Sequence, residues 1–436
     1  MQIDKTTLND LSIFQQNEEE SVFHQFNNTQ TNDGKFYLQQ ILATPLPSIA
    51  AIVDTQNTIK HLFELKDKLP TTISNGTLMV IEKFYETAIN NYPTQPNAVS
   101  SFSYTLFSKT DYALSKYSLQ HFINFIKGIK QIEQLLDENK SKKIMFWKQK
   151  IALLINNSTI NLLATENDTT NLSSTKILHY CYFLRSQFKQ DCYELIEIYC
   201  KLDAYLSIAN TTNNSQFQFP NFIETQEPII KANALYHLLL SNPIAYNVEL
   251  NKEENFLFLT GANMAGKSTF IKAIGVAVYI AHLGLPVPAQ NMQLSFFDGL
   301  LSNIHIVDNI FKNESYFFNE VQRIKSTVEK INDNKKWLIL IDELFKGTNI
   351  QDAMKCSTTV INGLQKRKNS LFILSTHLYE IGEDLKNHSN IQFKYFETNV
   401  INNELEFSYQ LKNGVSNDKL GYLILEKEGV VELLKK

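Results

Sequence analysis

The residues best suited to carry chemistry lie between 255 and 269, where the sequence reads NFLFLTGANMAGKST. An apolar run leads into the pattern G-x-x-x-x-G-K-S and a helix-like stretch follows, so the setting argues against a chance glycine-rich turn. Gly261 and Gly266 let backbone N–H groups turn inward around phosphate oxygens, and the start of a helix adds partial positive charge. Lys267 is expected to reach the β- and γ-phosphates of a nucleotide, and the Ser268 hydroxyl to bind Mg²⁺. The predicted nucleotide-binding residues of this loop are Gly261, Ala262, Asn263, Met264, Ala265, Gly266, Lys267, Ser268 and Thr269.

Two further apolar runs end in the polar side chains that such a site needs. Residues 337–341 (WLILI) are followed at once by Asp342 and Glu343. Asp342 is suited to hold Mg²⁺, usually through water, and Glu343 to orient or deprotonate the water that attacks the γ-phosphate. An acidic helix start is the alternative for this pair, but it is less expected downstream of a phosphate-binding loop. Residues 370–374 lead into Ser-Thr-His, and His377 could bond the γ-phosphate or the water unless it is an ordinary surface histidine.

The elements that must position these residues differ between two parts of the chain. Only three of the 14 glycines precede residue 250, so tight turns concentrate in the second part. The first part has apolar residues at helical spacing in the segments 62–69, 77–90, 115–139, 142–156 and 174–207. From about residue 217, short β-rich runs alternate with helical patterns, which is typical of a mostly parallel sheet with crossover helices. The sequence thus predicts an all-helical domain over 1–215 and an α/β domain over 216–436.

The charge balance limits the classes of partner. Lys and Arg number 41 against 45 Asp and Glu, which gives a formal charge of -4 over 436 residues. A basic nucleic-acid coat is excluded, so DNA binding would require a local patch. No apolar run reaches the ~18 residues of a membrane span, and the sequence does not open with a signal-peptide pattern. The spacing of the four cysteines fits neither zinc ligands nor a redox pair, which favours buried thiols. We therefore predict a soluble cytoplasmic protein without a membrane partner.

The phosphate-binding loop, the strand followed by Asp-Glu and the strand followed by Ser-Thr-His together resemble the motifs of ABC-type ATPases. Five ordered blocks narrow the resemblance, and they read GANMAGKSTF (261–270), GLPVPAQ (284–290), NIFKNESYFFNE (309–320), IDELFKGTNIQDA (341–353) and STHLYEI (375–381). Over about 217–425 the chain resembles the ATPase domain of MutS-family DNA mismatch repair proteins. The LSGGQ segment of transporter ATPases does not occur, which disfavours a transporter motor. The resemblance implies a P-loop ATPase that uses ATP and Mg²⁺, with Ser268 and Asp342 as the metal-binding residues.

The resemblance also implies that two ATPase domains act as a dimer. Ser315 stands at the position of the family's signature serine, whose hydroxyl would contact the partner's γ-phosphate; a simple helix N-cap is the alternative. Gly347 and Thr348 match the loop that joins the two sites. Tyr246 and Asn247 lie where the family has an aromatic or amide group beside the adenine ring. The catalytic residues implied in this way are Lys267, Glu343, His377 and, in trans, Ser315.

The first 215 residues resemble the family more faintly. Residues 11–46 look like the opening of the helical lever core, and 193–203 look like its returning helix. On this interpretation the clamp is reduced or absent, and the mismatch-binding and connector domains have no room before the lever. Beyond residue 422 only a short C-terminal helical remnant is expected. Phe84 matches a Phe-x-Glu pattern that wedges mispaired bases, but a core aromatic of an amphipathic helix explains it better.

Two functions stay open at this point. The first is a MutS-like DNA repair ATPase that hydrolyses ATP at composite dimer sites, moves its levers and binds mismatched or structured DNA. The second is a nucleotide-switched tethering protein that closes on ATP without binding DNA, which the missing DNA-contacting domains and the negative charge favour. A lysine cluster could neutralise DNA phosphates, although a solvated helix face explains it equally well. Its members are Lys140, Lys142, Lys143, Lys148 and Lys150. The sequence leaves open which DNA structure is bound and whether the dimer partner is an identical or a related subunit.

Overall fold

The computed structural model describes residues 1–89, 92–212, 217–304, 316–401, 404–416 and 430–434. The chain divides into two units, which we call the sheet unit and the helical unit. The sheet unit comprises Met1–Gln25, Thr44–Ile52 and Asn214–Lys436, and the helical unit comprises Phe26–Ala43 and Val53–Asn213. Residues 1–25 and 44–52 thus belong to the sheet unit, whereas the sequence analysis assigned them to the helical domain 1–215.

Helices account for most of the chain up to residue 212. They are α1 (Lys5–Asp10), α2 (Val22–Phe26), α3 (Asn32–Ala43), α4 (Ile49–Leu65), α5 (Asn75–Glu86), α6 (Ala98–Phe107), α7 (Lys109–Leu135), α8 (Lys142–Ile155), α9 (Ser158–Thr165), α10 (Ser174–Ser186) and α11 (Lys189–Thr211). Hydroxyl side chains fix several of the helix starts. Ser74 accepts a hydrogen bond from the backbone N–H of Thr77 (3.2 Å), and Ser141 accepts one from Ile144 (3.1 Å).

Apolar residues at helical spacing form the core of the helical unit. In the long helix α7, Leu119, Phe122 and Ile126 are fully buried. Phe84 of α5 is also fully buried, and its ring contacts that of Phe122 edge-on, with 5.2 Å between the centroids. Phe84 is therefore a core residue, as the amphipathic pattern predicts, and it does not project as a wedge for bases.

Asp203 of α11 ties down the segment that leads into α3. Its carboxylate accepts hydrogen bonds from the backbone N–H groups of Gln30 (3.0 Å) and Thr31 (2.9 Å) and from the Thr31 hydroxyl (2.7 Å). Burial nevertheless raises the pKa of Asp203. Gly34 packs against the same carboxylate so closely that a Cβ there would lie 2.2 Å from Asp203 Oδ2. Only glycine fits this approach without displacing the carboxylate.

The sheet unit is built on parallel strands. Its strands are β1 (Gln2–Ile3), β2 (Asn221–Ile223), β3 (Ile230–Leu235), β4 (Tyr246–Leu250), β5 (Phe256–Thr260), β6 (Asn291–Ser295), β7 (Gly299–Asn303), β8 (Trp337–Asp342), β9 (Ser370–Ser375), β10 (Ile391–Ile401) and β11 (Glu404–Asn413). Its later helices are α12 (Lys267–His282), α13 (Tyr316–Lys330), α14 (Ile350–Leu364), α15 (Glu380–Leu385) and α16 (Val430–Leu434).

Among the described residues, a seven-stranded sheet has the order β1-β7-β8-β9-β5-β10-β11. All of its neighbouring strands are parallel except β10 and β11, which form an antiparallel hairpin. A second sheet has the order β2-β6-β3-β4. The strands β5, β8 and β9 are buried along their whole length, as expected for the centre of a parallel sheet. The predicted combination of helices with a mostly parallel sheet is confirmed.

Residues 1–25 belong to the sheet unit because they complete its edge. Strand β1 pairs in parallel with β7, and the backbone N–H of Ser302 bonds the Thr7 hydroxyl at 2.9 Å. Asp4 caps α1 through the Thr7 N–H (2.9 Å) and pairs with Arg323 of α13 at 2.7 Å. No helix among the described residues is long and apolar enough to cross a membrane.

Candidate nucleotide-binding site

Three strands deliver the predicted functional residues to one edge of the sheet. The strand β9 lies between β8 and β5, and all three run in the same direction. Asp342 is in register with Ser375, and Ser375 is in register with Leu259. The loop after β5, the carboxylates after β8 and the polar residues after β9 are therefore neighbours. The carboxyl edge of a parallel sheet is the usual place for a ligand in such folds.

The loop between β5 and α12 has the backbone that its glycines permit. Gly261 has φ 140° and Gly266 has φ 104°, values that L residues rarely adopt. At Gly261 a Cβ would also lie 3.1 Å from the Phe396 carbonyl oxygen. The Lys267 ammonium turns into the loop and donates to the carbonyls of Gly261 (2.8 Å) and Ala262 (2.9 Å). Burial lowers the pKa of Lys267, and the nearby carboxylates of Glu343 and Asp342 partly oppose that shift.

A chain of side-chain oxygens joins the three strand ends. The Ser268 hydroxyl, in the first turn of α12, donates to Asp342 Oδ2. The Ser375 hydroxyl donates to Asp342 Oδ1 from the other side. Asp342 is buried, so these two hydroxyls fix its carboxylate at the mouth of the loop. The arrangement leaves Ser268 and Asp342 as paired hard oxygen donors of the kind that Mg²⁺ prefers.

Glu343 is held beside this chain in an unusual conformation. Its φ is 65°, and its backbone N–H donates to the Ser375 carbonyl at 2.9 Å. Its carboxylate lies 3.2 Å from Lys346 Nζ and 3.5 Å from His377 Nδ1. Burial would raise the pKa of Glu343, but hydrogen bonding from His377 and the charge of Lys346 outweigh it and lower the pKa to about 2. Glu343 is thus an ionised carboxylate at neutral pH.

A cavity of about 680 Å³ opens over the loop and the carboxylates. That volume suits a nucleotide-sized ligand. Its walls combine apolar and polar residues, namely His237, Leu240, Asn242, Ile244, Tyr246, Asn263, Met264, Gly266, Lys267, Ser268, Thr269, Phe270, Ala273, Asp342, Glu343, Lys346 and Tyr409. Tyr246 forms part of the wall, and its hydroxyl donates to the Tyr409 carbonyl at 3.0 Å. Its ring packs edge-on against Phe270 and Phe396, at 5.3 Å and 5.7 Å.

The structure does not bring every predicted residue into this cavity. Asn247 is outside the lining, and its side-chain oxygen instead accepts a hydrogen bond from the backbone N–H of Ala234 at 3.0 Å. Asn247 therefore supports the irregular pairing of β3 with β4 and not a ligand. His377 is 56% exposed and reaches the site only through Glu343. Ser315 lies outside the described residues.

Some residues of the site were missed by the sequence analysis. Tyr409 lines the cavity from β11, more than 100 residues after the phosphate-binding loop, and no spacing pattern in the sequence predicts its position there. Lys346 was not singled out, although its position three residues after Glu343 is typical of a local ion pair. Ser375 was noted only as part of the Ser-Thr-His sequence. Its register with Asp342 could have indicated the contact once β8 and β9 were assumed to pair.

Most of the residues that line this cavity lie in the part of the chain that matches a known protein family. The model of MutS domain V matches residues 257–433, which include the loop, both carboxylates and Tyr409. The matched part of the chain, residues 257–433, is therefore similar to domain V of the MutS family, and this is the family that the comparisons support. The chain is similar to human MutS protein homolog 4, with 28% identity over 58% of this chain and 28% of that protein. It is also similar to the Candida glabrata DNA mismatch repair protein MSH3, with 29% identity over 62% of this chain and 27% of that protein.

The chain is also similar to a third relative. The DNA mismatch repair protein MutS of Pseudothermotoga lettingae is 26% identical over 55% of this chain and 29% of that protein. The aligned part of this chain thus spans less than a third of the length of each of these relatives.

Proposed function

We propose that this protein is a MutS-like ATPase that binds ATP with Mg²⁺ in the cavity and hydrolyses it at composite sites of a dimer. The observation that carries the proposal is the convergence of Lys267, Ser268, Asp342 and Glu343 on one cavity. Hydrolysis would be coupled to movement of the helical part of the chain, in DNA repair or recombination. The names of the relatives, which include two DNA mismatch repair proteins, support that setting.

The phosphates would lie in the loop and the base in the wider part of the cavity. Lys267 would exchange its bonds to the loop carbonyls for bonds to the β- and γ-phosphates, because those oxygens carry more negative charge. The adenine would lie between apolar and aromatic walls that include Ile244, Tyr246 and Tyr409. In this placement the charged residues of the cavity would contact the phosphates, and its apolar and aromatic residues would contact the adenine.

Ser268 and Asp342 are the residues that would hold Mg²⁺. A Mg²⁺ ion held there would neutralise charge on phosphate oxygens. Among the described residues, no group of three or more His, Cys, Asp and Glu side chains forms a ready-made metal site. A cation at Ser268 and Asp342 would thus take its remaining ligands from phosphate and water, which is the usual manner of Mg²⁺ binding.

Glu343 would orient the attacking water. Its pKa of about 2 makes it a weak proton acceptor at neutral pH, so positioning and electrostatic stabilisation are its main expected contributions. His377, 3.5 Å from the Glu343 carboxylate, would hold that carboxylate in place. In-line attack of this water on the γ-phosphorus would release ADP and phosphate.

A second copy of the chain would complete the site. Met264 of the loop and Ile350 at the start of α14 are apolar, yet 77% and 68% of their surfaces are exposed. Met264 also lines the cavity, so a large apolar side chain is exposed at the site itself, which supports a surface that a partner covers. We propose that Ser315 reaches the partner's γ-phosphate across that surface.

One observation favours the alternative of a tethering protein that does not bind DNA. Three of the five lysines in the cluster pair with carboxylates within the helical unit, and a fourth, Lys148, donates to a backbone carbonyl. The contacts are Lys140 to Glu64 (3.5 Å), Lys143 to Asp54 (3.7 Å), Lys148 to the Leu136 carbonyl (2.8 Å) and Lys150 to Glu194 (2.6 Å). Lysines neutralised in this way offer less positive charge to DNA phosphates than their number suggests.

Nucleotide binding and hydrolysis test the proposal. We expect Lys267→Ala to abolish binding of a fluorescent ATP analogue, with Lys325→Ala, an exposed lysine of α13, as the control. The ATPase rate with and without duplex, mismatched and four-way DNA then separates the two functions. Stimulation that weakens as salt rises supports the repair ATPase. Hydrolysis without DNA stimulation or binding supports tethering, and failure of the wild type to bind ATP contradicts both.

A further inference from the structure

Glu320, near the start of α13, is a charged residue that the proposed mechanism does not use. It is only 2% exposed. Its carboxylate accepts hydrogen bonds from two consecutive backbone N–H groups, those of Lys346 (3.1 Å) and Gly347 (3.3 Å). A buried carboxylate is costly unless such donors satisfy it. Glu320 therefore binds the end of a short segment that begins at Glu343 and ends at Gly347, which we call the 343–347 segment.

The 343–347 segment needs to be held because its backbone is strained. Glu343 and Phe345 have φ values of 65° and 60°, in the left-handed region that non-glycine residues avoid. Such conformations persist only where surrounding contacts fix them. Two contacts come from α13, namely the Glu320 carboxylate and the ring of Phe317, whose centroid lies 5.7 Å from that of Phe345. Phe317 and Glu320 are three residues apart and share one face of the helix.

Helix α13 is itself fixed relative to the edge of the sheet. The Arg323 guanidinium pairs with Asp4 at 2.7 Å, and it also donates to the Ser302 carbonyl (2.7 Å) and to the Asn303 side chain (2.6 Å). A guanidinium that satisfies three separate acceptors has little freedom to move. Glu320, one turn earlier on the same helix, is therefore presented to the 343–347 segment from a rigid support.

We propose that Glu320 is a positioning residue for Glu343, which it controls through the backbone of Lys346 and Gly347. By holding these two amides, Glu320 keeps Lys346 Nζ 3.2 Å from the Glu343 carboxylate and keeps that carboxylate at the cavity. The inference rests on the proposed function, because it assigns Glu343 to the water. Its consequence is regulatory: a displacement of the start of α13 changes the alignment of Glu343 in the same chain.

Two variants and a control test this assignment in the full chain. Glu320→Ala removes both acceptors, whereas Glu320→Gln keeps the size of the side chain and one acceptor oxygen. Glu329→Ala, at an exposed position of the same helix, is the matched control. We expect kcat for ATP to fall at least tenfold in Glu320→Ala and by less in Glu320→Gln, with the Kd for ATP within twofold of wild type. We expect the control to keep both values.

Hydrogen–deuterium exchange supplies a measurement that does not depend on hydrolysis. In the nucleotide-free protein, Glu320→Ala should speed exchange of the Lys346 and Gly347 amides while the control does not. Unchanged exchange, or a kcat within twofold of wild type, overturns the inference and leaves the proposed function standing. A fall in kcat together with equal losses of nucleotide affinity and thermal stability also overturns it, because that result indicates general structural damage. Failure of the wild type to hydrolyse ATP contradicts the proposed function instead.

Discussion

Replacing Glu343 by Gln separates the catalytic and the structural contributions of this carboxylate. The pKa of Glu343 is lowered from 4.5 to about 2, so folding stabilises its ionised form over the neutral form by about 3–4 kcal/mol, at about 1.4 kcal/mol per pH unit. Glutamine has the shape of the neutral form and cannot form an ion pair with Lys346. We therefore expect Glu343→Gln to lower the free energy of unfolding at pH 7 by up to about 3–4 kcal/mol.

We also expect Glu343→Gln to slow the hydrolysis of bound ATP. Loss of one preorganised group that acts by positioning and electrostatic stabilisation typically slows the chemical step by about 10²–10³-fold. Apart from Glu343 itself, the loop, Lys267 and the other residues that line the cavity are unchanged, so ATP binding should persist. Single-turnover hydrolysis measures the chemical step, and a fluorescent nucleotide analogue measures binding. If ATP binding closes the proposed dimer, we expect size-exclusion chromatography with ATP to show that the variant accumulates as a dimer. Hydrolysis by the variant within threefold of wild type would refute the role of Glu343.

Three further changes have defined outcomes. Tyr409→Ala should weaken ATP binding about tenfold, or about 1.4 kcal/mol, because it removes part of the cavity wall; an unchanged Kd in an equilibrium titration would contradict that assignment. His282 is fully buried and burial lowers its pKa to about 3, so the unfolded chain takes up a proton below pH 6.5 that the folded protein excludes. The contribution of His282 to stability should fall as the pH drops from 6.5 to 5, with a slope that approaches about 1.4 kcal/mol per pH unit, and His282→Gln should reduce that slope in urea denaturation. Gly34→Ala should cost about 1–3 kcal/mol of unfolding free energy, since its Cβ would lie 2.2 Å from Asp203 Oδ2. Gly76→Ala, whose Cβ would meet nothing closer than 3.7 Å, is the control in the same thermal unfolding experiment.

The sequence predicts the parts of the site that are local. The loop from Gly261 to Ser268 and the Asp342–Glu343 pair each follow a buried strand, and parallel strands bring their ends to one edge. The alternation of side chains along a β-strand distinguishes Tyr246 from Asn247. Consecutive residues of a strand point to opposite faces, so at most one of the two could line the cavity, and that one is Tyr246.

The contacts that escaped prediction are distant in sequence. Tyr409 lines the cavity from the β10–β11 hairpin, and the partners of the lysine cluster, such as Glu64 and Glu194, come from other helices. Strand β1 contains only Gln2 and Ile3, too few residues for any periodicity. Side-chain type and spacing along one element contain no information about such pairings, because the tertiary fold alone decides them.

The edge of the seven-stranded sheet has a consequence for the order of folding. The Ser302 N–H and the Thr7 hydroxyl meet although they are 295 residues apart in the chain. Closing a flexible loop of that length costs about 5 kcal/mol in chain entropy, and contacts of this kind form slowly. During synthesis β1 cannot pair until β7 has left the ribosome, whereas all residues of the helical unit (Phe26–Ala43 and Val53–Asn213) have been synthesised before that point. Helical residues should therefore gain protease resistance early in translation, and residues 1–10 should gain it late.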